Sequence, residues 1–546
     1  MKHLILLICF LTGYVFLFAQ NDTMGNTSVT IISSYKPLMK SPVKITFSGT
    51  QLTSDTFKRI SPYDVPAQNL YYKYQSINLS PLSLQNDSIL LQSELSNYVK
   101  IGYGNYSTPY LNAGYGFKKN ATYIVNSYLN YTASKGNITN QDFSSLLFKT
   151  TGSYFFTKNE LYSKVGVSRN QQYLYGYDHE QYSFDKMEVS RLFRDVSVSV
   201  GYRNTQANTA QFNYNPNIAF SSFSNKDSVQ ENTICVNVPV SKKINNRWSA
   251  DFNMTMDFTN YVNINNLLGN NSVKNNLFLI DPSVVYKYSI SNIKIGALMA
   301  LDNGSFILMP NVKFEYPFLR EKLIFHGGLS STIEKNTYKN LTEINPYLTR
   351  LSTQTNTAKK EMYGGVKLNV AKHLAVNFLS GIVIYKNTPL FINDTTEESK
   401  DNLFNLANEQ QMYSFVSHLD LSYTNKDKLF ITSSVTFNDY YRLSNNQHPW
   451  NLFPVELKFN IQWMPMKKVK LSSDLFSFSE FKYLQKGGVV KSINGAVNWN
   501  ASVDYQINKR VSSFINLNNI FGKTYERWHN YPVYGFGILG GIKYSF

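Results

Sequence analysis

The sequence is poor in charge. Asp, Glu, Lys and Arg make up 16% of its 546 residues, against about 25% in an ordinary soluble chain. A string of soluble domains, which the length alone would suggest, is therefore not expected. Cysteine is scarce, with 2 in the chain, which excludes a disulfide scaffold. Long apolar runs are missing as well. A helical membrane protein needs about 20 apolar residues for each span, and only the extreme N-terminus approaches that. There is no CxxC, no HExxH and no glycine-rich phosphate loop, so cofactor and metal motifs are absent from the pattern. What is present is aromatic: 40 Tyr, 37 Phe and 5 Trp. A chain so rich in rings is not disordered over most of its length.

Met1-Lys2-His3 is a short positive start, and Leu4 to Ala19 is apolar almost without break before polar Gln20-Asn21-Asp22. This pattern reads as a secretory signal peptide over residues 1–19, cleaved near Leu17-Phe18-Ala19. The run is short for a membrane anchor. Cys9 lies inside it without a lipobox, and Cys235, left alone in the mature chain, has no internal disulfide partner. Export without a later helical span leaves a secreted protein, a periplasmic protein or an outer-membrane barrel.

Alternation decides among these. Val455, Leu457, Phe459, Ile461 and Trp463 alternate with Glu456, Lys458, Asn460 and Gln462. Ala250 to Thr259 and Ile493 to Tyr505 repeat the pattern, with period two, the spacing of a strand with unlike faces. Globular strands have a mode near 5–6 residues, whereas a tilted strand that crosses a bilayer needs about 9–11. Alternating segments of that length separated by turn residues are the signature of a transmembrane barrel, and no fixed-period repeat supports a β-helix or propeller.

The connections agree. Tight turns are expected near Lys118-Lys119-Asn120, Thr157-Lys158-Asn159, Phe193-Arg194, Asn245-Asn246, Ser291-Asn292, Leu319-Arg320, Ala371-Lys372, Lys426-Asp427, Pro465-Met466 and Asn508-Lys509. Longer polar stretches lie between them, the longest from about Glu334 to Lys360, Asn387 to Gln411 and Tyr440 to Asn451. With a first strand near Tyr98–Gly104 and a last at Tyr534–Phe546, these hairpins give an all-β, antiparallel barrel of about 22 strands over residues 97–546. Phe212 to Phe220 alternates weakly. It is assigned to a long external loop, because bacterial barrels keep an even strand number.

The ends of the barrel carry a resemblance. The closing strand places Phe536, Ile538, Ile542, Tyr544 and Phe546 on one face, and its terminal Phe resembles the sorting signal of outer-membrane barrels. Phe514-Ile515-Asn516-Leu517-Asn518-Asn519-Ile520-Phe521-Gly522-Lys523-Thr524-Tyr525 looks like the segment that ends TonB-dependent receptors. Tyr98-Val99-Lys100-Ile101-Gly102-Tyr103-Gly104-Asn105-Tyr106 resembles the barrel entry of Bacteroidota proteins of that group, and Val29 to Pro37 is similar to the start of their mature chains. A full receptor has a plug domain of well over a hundred residues before its barrel. Here residues 20–96 hold no persuasive plug motif and are rich in Pro, Ser, Asn and Leu, so the segment is expected to be a periplasmic tail or a stretch that enters the lumen. The resemblance implies an integral outer-membrane protein amid outer-membrane lipid and lipopolysaccharide, inserted by the barrel-assembly machinery. It implies a solute pore or a receptor and transport barrel. The alternative is a scaffold subunit that docks other outer-membrane or periplasmic proteins through its loops and N-terminal tail.

Chemistry is sparse. Ser414, His418 and Asp420 share one strand face, but a catalytic set needs hydrogen-bond contact and alternate residues on a strand lie about 6.6–6.8 Å apart, so a solvated polar face is expected. Asp178-His179-Glu180 lacks further metal ligands. No catalytic, cofactor or metal residue is assigned, and no enzyme activity is expected. The net charge of +17 is spread along the chain and gathers at turns, which suits membrane edges better than nucleic acid. Inward Lys458, Lys543 and Arg510 are opposed by inward Asp251, Asp257, Glu456 and Asp504, so ion selectivity is not fixed. Lipid-facing walls and interface belts account for most of the rings. Tyr173, Tyr175, Tyr177, Tyr440, Tyr441 and Trp450 are the surplus, expected in loops as candidate contacts for a ligand or partner.

Overall fold

The computed structural model describes residues 97–546 apart from 120–121, 207, 266–268, 290, 319–321, 372, 395–399 and 426–427. The signal peptide and the segment 20–96 lie outside the described residues, as do the tips of the turns expected at 319–320 and 426–427. One antiparallel sheet takes in 23 strands. Phe212–Tyr214 and Asn217–Asn225 lie end to end against the same neighbour, Val229–Lys243, without a change of register, so the wall has 22 staves. The first stave, Tyr98–Gly104, pairs with the last, Gly537–Ser545, from Tyr98↔Ser545 to Gly104↔Leu539. That pairing closes the barrel and leaves no free edge in the wall. An interstrand spacing of about 4.8 Å and a tilt of about 40° make such a barrel roughly 44 Å wide.

Alternation produces this shape because each face of a stave meets a different solvent. Ile293 and Ile295, Leu308 and Phe314, Val196 and Val198, and the terminal Ile538, Ile542, Tyr544 and Phe546 all stand exposed on the outer face. Their neighbours in sequence face the lumen, where polar side chains pair: Lys100 with Asp504 at 3.6 Å, Lys458 with Glu456 at 3.2 Å and Asn500 with Asp474 at 2.8 Å. Arg510 sits in the turn before Val511–Asn518 and is not part of a wall strand.

The turn end of the barrel matches nine of the ten expected tight connections to within a few residues. Three expectations are corrected. Phe193-Arg194 is no turn but lies within the strand Ser190–Asn204. Arg194 points outward near the loop end, where a long basic chain reaches the polar boundary, and Phe193 packs inward. Phe212 to Phe220 is no external loop but belongs to the seventh stave. Asn215-Pro216 breaks that stave because proline lacks the N–H that the ladder needs. The two errors cancel in the strand count. Third, Ile493 to Tyr505 is split. Val489–Ile493 belongs to a hairpin with Phe481–Gln485, and the wall resumes at Ala496–Gln506.

The loop end is uneven. Besides 105–107, two short connections, 226–228 and Asn303-Gly304, close hairpins on one side. The latter has φ of 48° and 90°, the left-handed pair that a two-residue type I′ turn requires. Elsewhere the staves run on. Leu374–Asn393 and Phe404–Asn425 are 20 and 22 residues long, so only 394–403 remains as loop where a longer stretch was expected.

Candidate functional site

The largest buried apolar cluster is built from the loops. It joins Tyr175, Tyr338, Leu341, Tyr347, Leu348, Leu351, Trp528, Tyr531 and Val533 to the upper ends of staves through Phe193, Phe223, Tyr261, Phe391 and Phe404. At its centre three tyrosines meet. Tyr347 and Tyr531 stack with ring centroids 3.4 Å apart, and the ring of Tyr175 stands edge-on to them at 6.4 and 4.9 Å. Their loops, 174–189, 335–356 and 519–536, leave the wall after the fifth, thirteenth and twenty-first staves. They start roughly a third of the circumference apart, so they can meet only over the lumen. The mouth is thus capped.

Polar contacts lock the cap. The Tyr531 hydroxyl donates to Asn402 O at 2.5 Å, the Tyr175 hydroxyl to Pro532 O at 2.9 Å and Gln141 Nε2 to the same Pro532 O at 2.8 Å. The Tyr534 hydroxyl donates to Gln141 O. Burial drives the phenol pKa of Tyr531 well up, which keeps its hydroxyl a neutral donor. Trp528 packs edge-on against Phe391 and Phe404 at 5.2 and 5.3 Å, and the Arg527 guanidinium lies over Phe453 and Trp528 at 4.2 and 4.1 Å.

The loop 335–356 descends into the lumen. It opens with a short helix, α1 (Tyr338–Ile344), capped by Thr337, whose side chain accepts from Asn340 N. Glu231 on the wall accepts from Tyr338 N at 2.7 Å, Lys339 N at 3.1 Å and Gln354 Nε2 at 3.0 Å. Lys339 reaches Asp195 at 2.7 Å and Ser221 at 3.1 Å. Lys335 binds Asp257 and, at 2.7 Å, Thr259. Arg191 binds Asp227 at 2.6 Å and the carbonyl of Leu348. Asp195, Ser221, Asp257 and Thr259 lie several residues below the rim, whereas Asp227 is in the rim turn itself, so cap and wall form one packed body.

A charged clasp joins two further loops. His529 lies 3.2 Å from Asp401 through Nε2 and 3.5 Å from Glu526 through Nδ1, with its ring stacked on Tyr483 at 4.4 Å. Burial alone would lower the imidazole pKa, but the hydrogen bonds to the two carboxylates outweigh it, and the pKa is raised.

The residues expected to contact a ligand fall mostly inside this cap. Tyr173 and Tyr177 pack with Val189, Tyr175 is in the central cluster, and Trp450 is buried and donates to Asn446. Tyr440 and Tyr441 are half-buried at the top of their stave, with Tyr441 stacked on Tyr413. The terminal Phe536, Ile538, Ile542, Tyr544 and Phe546 are exposed along the outer wall. The Asp178 carboxylate accepts from Glu180 N, and His179 contacts the carbonyl of Tyr175. One estimate of reach is corrected. His418 Nε2 and Asp420 Oδ1 lie 2.7 Å apart although both are on one strand, because their side chains lean together. His418 Nδ1 meets Thr436 Oγ1 at 2.8 Å, so its second nitrogen contacts Thr436. The residues the sequence reading missed, Tyr347, Trp528, His529 and Tyr531, lie in loops whose only local signal was their aromatic density.

The architecture has solved counterparts. The siderophore receptor PirA from Acinetobacter baumannii superimposes with a TM-score of 0.64 at 8% identity, over 83% of this chain and 80% of that one. The FrpB iron transporter from Neisseria meningitidis gives 0.62 at 9% identity over 82% and 81%. The ferripyoverdine receptor of the outer membrane of Pseudomonas aeruginosa gives 0.61 at 8% identity over 83% and 72%. At such identities the likeness is one of fold. No family model and no curated protein matches the sequence.

Proposed function

We propose that this chain is an outer-membrane transport barrel of the TonB-dependent-receptor type. Its loop end faces the exterior, and its mouth is held shut by its own loops until a solute displaces them. The observation that carries this reading is the junction of Tyr175, Tyr347 and Tyr531 over the lumen. The siderophore and iron receptors of like fold support it, since they bind or pass small solutes. A polar lumen beneath a loop cap can conduct once the cap parts.

Conductance across a planar bilayer tests the proposal, with the full mature chain, with residues 21–96 deleted, and with Tyr531→Ala. The full chain is expected to be silent and the cap variant to conduct, with conductance rising further if residues 21–96 enter the lumen. Silence in all three, with other envelope proteins co-purifying in fixed ratio, would sink the transport reading and favour the scaffold.

A further inference from the structure

Well below the cap, on staves eleven to fifteen, the lumen wall holds a cavity of about 470 Å³ lined by Lys294, Lys313, Glu315, His326, Glu361 and Lys367 among others. Lys294 and Lys313 are direct cross-strand partners. Both face the lumen, because Ile293, Ile295 and Phe314 beside them stand exposed on the outer wall. Like charges set directly opposite each other push two strands apart. A sequence keeps such a pair at low cost only where an opposite charge comes to it.

Among the described residues the protein does not supply that charge. Glu315 is engaged by Lys367 at 2.5 Å, and Glu361 lies 4.0 Å from Lys359. Neither Lys294 nor Lys313 has an ion pair or hydrogen bond among the described residues. A second observation points the same way. His326 is 7% exposed, and its buried Nε2 makes no hydrogen bond of good geometry, with Asn377 and the backbone of Phe378 near the ring, a shortfall that is rare for a buried polar atom. The ring lies over Gly365, where a Cβ would stand 2.7 Å from that nitrogen. The missing side chain is what lets the imidazole lie at the cavity.

We propose that this cavity binds a multiply charged oxyanion, either a phosphate or a polycarboxylate, held by the ammonium groups of Lys294 and Lys313 with Lys367 and His326 beside it. Ammonium groups bind phosphate and carboxylate oxygens through charge-assisted hydrogen bonds. One anion would relieve the opposed lysines and give the buried imidazole a partner. The inference rests on the reading of the chain as a solute barrel, but its test involves no transport. A barrel that binds anions yet never conducts would overturn only the function proposed above.

The experiment is calorimetric titration of the full chain, folded in detergent, with inorganic phosphate and separately with citrate. Saturable binding of at least one is expected, weakening as sodium chloride screens the charges. The double variant Lys294→Gln/Lys313→Gln is expected to bind about tenfold more weakly or not at all, as loss of two charge-assisted contacts implies. It should also melt at a higher temperature than the parent protein without anion, because the repulsion is gone. That melting point keeps the result interpretable, since an unfolded variant would fail it. Lys467→Gln/Lys468→Gln removes the same charge at an exposed turn and is expected to leave binding unchanged. No binding of either anion by the parent protein, or equal weakening by the turn variant, overturns the proposal. Preference for phosphate or citrate tells which oxyanion the site takes.

Discussion

Tyr531 is fully buried and makes three kinds of contact at once. It stacks on Tyr347, meets Tyr175 edge-on and donates to the carbonyl of Asn402. Truncation of a buried aromatic costs about 3–5 kcal/mol, and here the loss falls on loop packing, because the wall has its own ladder. Tyr531→Ala is therefore expected to keep the barrel folded while the loops loosen. Trypsin should then cut faster after Arg350, an exposed residue of the loop that stacks on Tyr531. An unchanged cleavage rate would mean that the tyrosine junction does not hold the cap. Glycine at the seam offers a second residue-scale test. A Cβ on Gly541 would stand 2.0 Å from the carbonyl of Ile101 and 2.7 Å from the ring of Phe514, whereas one on Gly364 meets nothing within 4 Å. Gly541→Ala should lower the yield of compact, heat-modifiable protein on gels and Gly364→Ala should not. Equal yields would refute the reading of a tight seam.

At the scale of elements, the His529 clasp ties the loop 519–536 to the loop 394–403. The groups that face the imidazole are Asp401, Glu526 and the ring of Tyr483. Its folded pKa is raised, so the protonated form stabilises the clasp. That contribution is fully present below the unfolded value of about 6.5 and is lost as pH rises through the raised folded value. Loop proteolysis should accelerate over that window in the parent protein and be flat with pH in His529→Asn. A parent protein whose loops open as pH falls would contradict the sign.

The same scale explains what the sequence made legible. Wall strands could be read from alternation because lipid on one side and water on the other impose it residue by residue. Val455–Met466 and Trp248–Asn265 appear as expected. The strand Ser190–Asn204 is obscured because Arg191, Phe193, Arg194 and Asp195 mimic a turn, when Arg191, Phe193 and Asp195 point inward and Arg194 outward. Asn303-Gly304 carries the strongest short hairpin signal. The cap was not legible at all. It depends on pairs such as Gln141 with Pro532, 391 positions apart, and on Glu231 accepting from a helix start 107 positions away. No local pattern encodes such meetings, and aromatic density in the loops said only that something packs there. Hence Tyr175, Tyr177 and Trp450 are largely spent on packing within the loops, each in a different place.

For the whole molecule, the charges that meet the cap differ from those at the turn end, where lysines sit among carboxylates such as Glu315 and Asp504. Lumenal lysines such as Lys100, Lys294, Lys313 and Lys543 lie toward the turn end, while Asp195, Glu231 and Asp257 lie toward the cap and are taken up by Arg and Lys of the descending loop or by its backbone. Opening the cap therefore exposes carboxylates at the mouth, with ammonium groups deeper in. Once open, Tyr531→Ala is expected to conduct asymmetrically, with the current–voltage curve bending with the sign of the applied potential. A straight line would argue against that gradient.

The pairing of Tyr98 with Ser545 has one more consequence, for the order of events in assembly. The first stave pairs with a strand far along the chain, from Tyr98↔Ser545 to Gly104↔Leu539, and contacts of such sequence separation form slowly. Until Gly537–Ser545 arrives, Tyr98–Gly104 presents an open strand edge, and open edges recruit other chains. The barrel therefore has no stable halfway house during assembly. A chain that lacks the nine-residue strand Gly537–Ser545 is a hazard rather than a smaller barrel.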